Sequence, residues 1–205
     1  TSLSSQPASA NTLPLPTKVG GTQVLIGGVQ APLFYVSPTQ VNAQIPFELT
    51  AGQQYQVIVN ANGALTTPQP IQLTAAVPAV LQFTSGLVIA QHGDGTLVSD
   101  TAPAAPGEFI VLYMTGLGAT DIPVPTGQAS PADPPARVLD TPVLTLDDIT
   151  VPTSFAGLTP GLVGLYQINL QIPADLPDKT YDLKVTQSGT VSNSTSLPVK
   201  TPATN

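Results

Sequence analysis

The sequence predicts an all-β protein built from two tandem β-sandwich repeats, and three observations carry that prediction. Only 8% of the 205 residues are charged, against about 25% in an ordinary globular domain. Proline (23) and glycine (17) are abundant and separate short apolar stretches, a pattern that favours strands and turns over helices. The third observation is an internal repeat.

The repeat is clearest in one heptapeptide. Gln-Val-Asn-Ala-Gln-Ile-Pro at 40–46 recurs as Gln-Ile-Asn-Leu-Gln-Ile-Pro at 167–173. Tyr-x-Val-x-Val at 55–59 likewise recurs as Tyr-x-Leu-x-Val at 181–185. Self-similarity of this kind indicates two copies of one supersecondary unit.

These matches divide the chain into three parts. Residues 1–76 are predicted to form the first repeat and 106–205 the second, with a connector at 77–105 that contains short strands. The stretch at 127–140 has no partner in the first copy, so we expect it to be a long loop.

Strands and turns follow from the local pattern. Apolar and polar residues alternate in both heptapeptides, which is typical of a half-buried strand. Proline cannot donate to a ladder, so Pro46 and Pro173 are expected to end these strands. Gly27-Gly28 and Asp147-Asp148 occupy the same slot between apolar stretches and indicate hairpin turns. Short antiparallel strands with frequent turns predict an immunoglobulin-like sandwich in each copy.

The polar sides of the two heptapeptides form a candidate interaction face. Its residues are Gln40, Asn42, Gln44, Gln167, Asn169 and Gln171. They could form an amide ladder against another subunit, or they could be a solvated sheet face.

The chain also resembles a known family. Ser-Pro-Thr-Gln-Val-Asn at 37–42, followed by the strand at 55–59, resembles an IPT/TIG immunoglobulin-like domain. Pro-Gly-Glu-Phe-Ile-Val-Leu-Tyr at 106–113 and Gly-Leu-Tyr-Gln-Ile-Asn at 164–169 are similar to the C-terminal module of acidobacterial (Solibacter-type) secreted proteins. The resemblance implies the fold and an extracellular or cell-surface location. It implies no activity and no catalytic residue.

Composition excludes several function classes. Five Lys and Arg against twelve Asp and Glu exclude the basic footprint of nucleic-acid binding. The absence of cysteine excludes thiol chemistry and thiolate metal sites, and a single histidine excludes multi-histidine metal sites. No apolar run reaches the roughly 18 residues of a membrane span. The first residue is not Met, so we expect a processed product or a fragment.

Catalytic constellations are not expected, and we predict no enzyme activity, cofactor or metal. A Ser-His-Asp triad would need His92, which lies in a glycine-flanked turn. Glu48 and Glu108 are the only glutamates, and ordinary solvated positions explain both. Asp147-Asp148 could bind calcium, but a turn is the stronger interpretation because Gly-Gly fills the same slot. Asn193-Ser194-Thr195 fits a glycosylation sequon.

The first copy is predicted to lack a strand. Residues Phe109, Ile110, Val111, Leu112 and Tyr113 form an apolar stretch that is expected to be a strand buried on both faces, and it leads into Thr-Gly-Leu-Gly at 115–118. The first copy begins at the equivalent 1–4. Three explanations remain open: an upstream strand was removed, residues 5–16 close the gap, or another copy donates the strand.

The predicted function is that of a structural or assembly module that associates head to tail or with neighbouring domains. Residues 1–93 carry only two charges, Lys18 and Glu48, and a surface without charge tends to associate. Residues 109–113 are the candidate assembly strand.

The alternative is a polysaccharide-binding accessory module, which normally uses exposed aromatic faces. Tyr35, Phe47, Phe83 and Tyr166 are available but show no clustering in the sequence. The aromatics that recur in both copies are predicted to be core residues: Phe34 with Phe155, and Tyr55 with Tyr181.

Overall fold

A computed structural model describes residues 2–202, and every regular element in that range is a strand. The all-β fold class is therefore confirmed. The chain forms two compact units. The first unit contains the residues up to Ala75 together with Pro123–Pro134 and Pro160–Gly164. The second unit contains Ala76–Ile122, Pro135–Thr159 and the chain from Leu165 onward.

The first unit is a sandwich of two antiparallel sheets. Its strands are β1 (Ala8–Ser9), β2 (Thr22–Ile26), β3 (Val29–Ala31), β4 (Leu33–Val36), β5 (Val41–Ala43), β6 (Gln54–Ala61), β7 (Ala64–Leu65) and β8 (Gln69–Gln72). One sheet has the order β1-β4-β5. The other has the order β3-β2-β6-β7, with β8 also paired to β6.

The second unit repeats this plan with a larger first sheet. Its strands are β9 (Ala79–Val80), β10 (Ala90–His92), β11 (Phe109–Thr115), β12 (Val143–Leu146), β13 (Ile149–Val151), β14 (Thr153–Leu158), β15 (Tyr166–Gln171), β16 (Lys179–Gln187), β17 (Thr190–Val191) and β18 (Thr195–Val199). One sheet has the order β10-β11-β15-β14, with β9 also on β11. The other has the order β13-β12-β16-β17, with β18 on β16.

Strand register matches the repeat in most places. Val24 pairs with Val59 in the first unit, and Leu144 pairs with Val185 at the same place in the second. The hairpin turns predicted at 27–28 and 147–148 connect β2 to β3 and β12 to β13. The two copies therefore share one topology in the sheet that contains these strands.

The predicted alignment of Phe34 with Phe155 is wrong by one residue. Tyr35 pairs with Asn42, and Phe155 pairs with the equivalent Asn169, beside a bulge in both copies. A bulge inserts one residue into a strand and turns the following side chains to the other face. Phe34 consequently lies on the surface with 36% exposure instead of in the core.

The strand at 109–113 also differs from its prediction. Ile110 and Leu112 are buried, but Phe109 is 57% exposed. The prediction of burial on both faces is wrong because an antiparallel sheet in a sandwich has only one face on the core.

Two segments without a repeat partner are part of folded units. The connector contributes β9 and β10, which pair with β11 in the second unit. The predicted long loop is divided instead: Pro123–Pro134 belongs to the first unit, and the chain from Pro135 belongs to the second. We call Pro123–Pro134 the strap. Its Gly127 carbonyl accepts a hydrogen bond from the Leu15 N–H at 2.8 Å.

Tyr55 and Tyr181 are equivalent, as the repeat predicts, but they differ in burial. Tyr55 pairs with Ile71 across β6 and β8, and Tyr181 pairs with Leu197 across β16 and β18. The Tyr181 hydroxyl donates to the Pro177 carbonyl at 2.8 Å, and the Tyr55 hydroxyl reaches the main chain of residue 50. Tyr181 is 1% exposed, whereas Tyr55 is only half-buried.

This difference predicts unequal mutational costs. Tyr181→Ala should lower the free energy of unfolding by about 3–5 kcal/mol, as expected for a fully buried aromatic ring. Tyr55→Ala should cost clearly less, because part of its ring is already in water. Chemical denaturation of both variants measures the difference, and equal losses would contradict the assigned burial.

Candidate functional site

The first unit has an open sheet edge at β5. Among the described residues, β4 is the only strand that pairs with it. The Ser37 N–H donates to the Gln40 carbonyl at 2.8 Å, which fixes the even-numbered residues as those that bond toward β4. Because bonding direction alternates along an antiparallel strand, the N–H and C=O groups of Val41 and Ala43 face the open edge.

The second unit shows how the equivalent edge is filled. β15 pairs with β14 on one side and with β11 on the other, with Ile110 opposite Leu170 and Leu112 opposite Ile168. Leu170 and Ile168 are fully buried. The residues at the same positions of β5 are Ala43 and Val41, which are only half-buried.

The inner face of the opposite sheet is uncovered in the same way. Tyr55, Val57 and Val59 of β6 pack against the core but are only half-buried. Their counterparts on β16, with at most 1% exposure, are Tyr181, Leu183 and Val185. The interior of the first unit is thus open along one side, where the second unit holds β11 beside β15 and connector residues beside β18.

We call this opening the first-unit groove and define it by Val41, Ala43, Tyr55, Val57 and Val59. All five pack against the fully buried cluster of the first unit, so the groove is the exposed margin of that core. Groups of two chemical kinds meet there: apolar side chains on the floor, and unpaired main-chain donors and acceptors along one wall. A β-strand has both complementary features.

Residues 5–16 do not close the groove. Ala8 of β1 pairs with Val36 of β4, which places β1 at the opposite edge of the sheet. The second unit has an equivalent contact, in which Arg137 bridges to Gly157 of β14. β1 is therefore a regular part of the repeat and does not fill the place beside β5 that β11 takes beside β15.

The candidate assembly strand at 109–113 is fully engaged within its own unit. β11 pairs with β15 on one edge and with β9 and β10 on the other. Ile110 and Leu112 are at most 1% exposed. Donation of β11 to another copy would dismantle the second unit, so β11 is a template for the missing strand and not a free donor.

The candidate polar face forms the same hydrogen bond in both copies. The Gln40 Nε2 donates to the Asn42 Oδ1 at 2.6 Å, and the Gln167 Nε2 donates to the Asn169 Oδ1 at 2.9 Å. Gln171 is exposed, and its Nε2 donates to the Gly107 carbonyl at 2.9 Å.

Gln44 departs from the polar-face prediction. Its side chain is buried, with 6% exposure, and its Oε1 accepts the N–H of Gly127 in the strap at 2.7 Å. The prediction is wrong at this position because the strap, which local sequence pattern does not reveal, covers the end of β5.

Glu48 forms hydrogen bonds with the strap next to those of Gln44. The Thr126 hydroxyl donates to the Glu48 Oε2 at 2.6 Å, and the Thr126 Oγ1 accepts the Phe47 N–H at 2.8 Å. The Thr126 hydroxyl holds the pKa of Glu48 below its usual value. Glu48 therefore has a structural role at one end of the first-unit groove.

His92 and Glu108 form a second structural pair, in the second unit. The His92 Nδ1 lies 2.6 Å from the Glu108 Oε1, and the His92 Nε2 lies 3.2 Å from the Ala102 carbonyl oxygen. The Glu108 Oε2 accepts the Ala105 N–H at 2.8 Å. Both ring nitrogens face acceptors, so the ring links β10 to Ala102 and Glu108 and has no nucleophile as a partner.

The other residues considered for chemistry have structural partners. The Asp147 Oδ2 accepts a hydrogen bond from the Lys179 Nζ at 2.6 Å, and its Oδ1 accepts the Asp182 N–H at 2.9 Å. The Asn193 amide bonds to the main chain of Val80 through both its Oδ1 and its Nδ2. A glycan at Asn193 would therefore displace a contact to β9.

Neither a metal-binding cluster nor a membrane-spanning helix is present between residues 2 and 202. No three side chains of the His, Asp or Glu type lie together as metal ligands in that range. None of its elements is a helix with the length and apolarity needed to cross a membrane. A cleft beside Arg137 and Phe155 measures about 140 Å³, below the ~300 Å³ at which small-molecule sites begin.

Exposed aromatics are divided between the two units. Phe34 and Phe47 belong to the first unit, and Phe83 and Phe109 belong to the second. Tyr166 is buried, and burial raises the pKa of its hydroxyl to about 12. Phe109 was not among the aromatics considered for sugar binding; strict alternation along its strand, with Ile110 inward, is the signal that could have found it.

Comparisons with known proteins add no assignment. No protein-family model matches the chain, and a search of curated proteins gave no significant match.

The His92 pair predicts a pH dependence of stability. Burial lowers the pKa of His92, but the hydrogen bonds to Glu108 and Ala102 and the negative charges nearby outweigh it, so the net pKa is raised. A raised folded-state pKa stabilises the fold fully below the unfolded value of about 6.5 and loses that contribution as pH rises through the folded value.

Urea denaturation between about pH 5 and pH 8 tests this dependence. The wild type should lose stability over the upper part of that range relative to His92→Gln, which cannot titrate. Parallel curves for the two proteins would contradict the assignment.

Proposed function

We propose that this chain is a non-catalytic structural and assembly module of the cell exterior, in which the first-unit groove accepts a β-strand from a neighbouring subunit. The half-buried interior beside β5 carries the proposal. It is supported by comparison within the chain, because the second unit has the same fold and holds a strand in that place.

Two forces favour a strand as the occupant. The unpaired N–H and C=O groups of Val41 and Ala43 offer main-chain hydrogen bonds of the kind used in strand addition. The groove residues also offer apolar area, whose burial is worth about 25 cal/mol per Å². Lys18 and Glu48 are the only charged residues before position 94, so little charge opposes a neighbour at this edge.

The direction of the accepted strand follows from the second unit. β11 runs antiparallel to β15 and continues into the 115–118 segment. The corresponding segment of the first copy lies beside the start of β5, where the Leu3 N–H donates to the Pro38 carbonyl at 3.0 Å. An accepted strand would thus run antiparallel to β5, with its C-terminal end toward Leu3.

Association through this edge would be head to tail. The acceptor is the β5 edge of the first unit. A strand that takes the place of β11 comes from a different segment than β5, which makes the contact heterologous, and such a contact does not close on itself. Such a contact generates open chains of subunits. The resemblance to modules of secreted acidobacterial proteins and the low charge both favour an extracellular setting for them.

Polysaccharide binding is the second candidate, and one observation favours it. The outward face of β11 and β15 carries Phe109 opposite Gln171, and Tyr113 opposite Gln167. The Tyr113 hydroxyl donates to the Gln91 Oε1 at 2.6 Å. Aromatic rings beside amides on a flat, uncharged face suit a neutral sugar chain.

Peptide binding tests the first candidate. A fluorescent peptide with the sequence of residues 107–115, flanked by lysines for solubility, should bind the full chain with micromolar affinity, read by fluorescence anisotropy. Ala43→Pro should abolish binding, because proline removes an N–H that faces the open edge and is tolerated on an edge strand. Ala43→Ser keeps that N–H and is the matched control.

Assembly is measured on the same samples. Negative-stain microscopy of the concentrated protein should show linear assemblies that shorten when the peptide is added. A chain that stays monomeric at high concentration and binds no peptide would overturn the proposal. Retardation of that chain in a gel containing polysaccharide would favour the second candidate.

A further inference from the structure

The lining of the first-unit groove differs in size from that of its template. Three inner positions are smaller in the first unit: Ala43 stands for Leu170, Val41 for Ile168, and Val57 for Leu183. The largest difference is at Ala43, whose side chain has three fewer carbons than leucine.

Leu33, the neighbour of Ala43 on β4, does not supply the side-chain volume that Ala43 lacks relative to Leu170. Leu33 lies opposite Ala43, where the second unit has Thr153 opposite Leu170. Leu33 is on the side of β5 away from the open edge, and it is fully buried. Ala43 stays half-buried despite it, so space remains on the side where a strand would dock.

Protein interiors are packed as densely as organic crystals, and volume-conserving exchanges are tolerated best. A strand in the first-unit groove must therefore supply volume that the groove lacks. In the β11 register the residue opposite Ala43 corresponds to Ile110. That position is where extra volume is needed.

We infer that the first-unit groove selects a strand whose inward residue opposite Ala43 is aromatic. Two residues later, that strand has a leucine-sized residue opposite Val41. This inference rests on the proposed function. The partner is thus an extended, uncharged segment with an aromatic-x-leucine pattern on its inner face. The same size difference discriminates against strands of the β11 type, which places isoleucine opposite Ala43. Such a mismatch keeps the sandwiches of different units from exchanging strands.

A peptide panel tests this selectivity on the wild-type chain. The three peptides carry isoleucine, phenylalanine or alanine at the position opposite Ala43 and are otherwise the 107–115 sequence. The phenylalanine peptide should bind about tenfold more tightly than the isoleucine peptide, and the alanine peptide about tenfold more weakly, since each step changes the buried apolar area by a few methylene groups.

A substitution that enlarges residue 43 of the groove provides the second part of the experiment. Ala43→Leu restores the template residue and should reverse the preference, so that the isoleucine peptide binds more tightly than the phenylalanine peptide. Gln56→Thr, at an exposed position on the outward face of β6, is the matched control and should leave the order unchanged. Circular dichroism verifies the fold of both variants.

The outcomes separate this inference from the proposed function. Equal binding of all three peptides to the wild type would overturn the size selectivity and leave strand acceptance standing. Binding by none of them would overturn strand acceptance and the selectivity with it. If Ala43→Leu fails to fold, the wild-type panel alone still decides.

Discussion

A strand that lines a sandwich core has two requirements: its apolar face needs cover, and those of its main-chain groups that are buried need hydrogen-bond partners. β15 meets both because β11 lies beside it. β5 meets neither on its free side. The positions of the unpaired main-chain groups on β5 follow from this open edge. The unequal burial of the two units follows from it together with the connector, which in the second unit also pairs with β18.

In the second unit, β11 and the connector strands cover the edge of β15. The connector strands β9 and β10 pair with β11. The His92–Glu108 pair adds a side-chain contact between β10 and the residue before β11. The first unit has no counterpart of this assembly among its described residues. It has the strap instead, which Gln44 and Glu48 fix at one end of β5 while the groove residues beside Val41 and Ala43 stay half-buried. The strap thus bounds the groove without filling it.

Local, periodic patterns predict the strands well. Alternation in the repeated heptapeptide predicts a strand in each copy, and β5 and β15 lie there. The sequence predicts a core position for Phe34, but the side chain is exposed. The cause is a bulge, which depends on how two strands pair and is not encoded in either strand alone. Gln44 was misplaced because the strap that buries it comes from far along the chain. Alternation also does not distinguish Val57 from Leu183, because both face inward on their strands and only their burial differs.

Hydrogen–deuterium exchange of the isolated chain tests the central claim, that the first unit is the open copy of a sandwich completed in the second. Amides of Val41 and Ala43 should exchange within the fastest class of strand amides, while those of Ile168 and Leu170 should be among the slowest, because protection follows main-chain pairing and burial. Equal, strong protection of both pairs in the monomer would mean that the edge of β5 is already covered and would contradict the account.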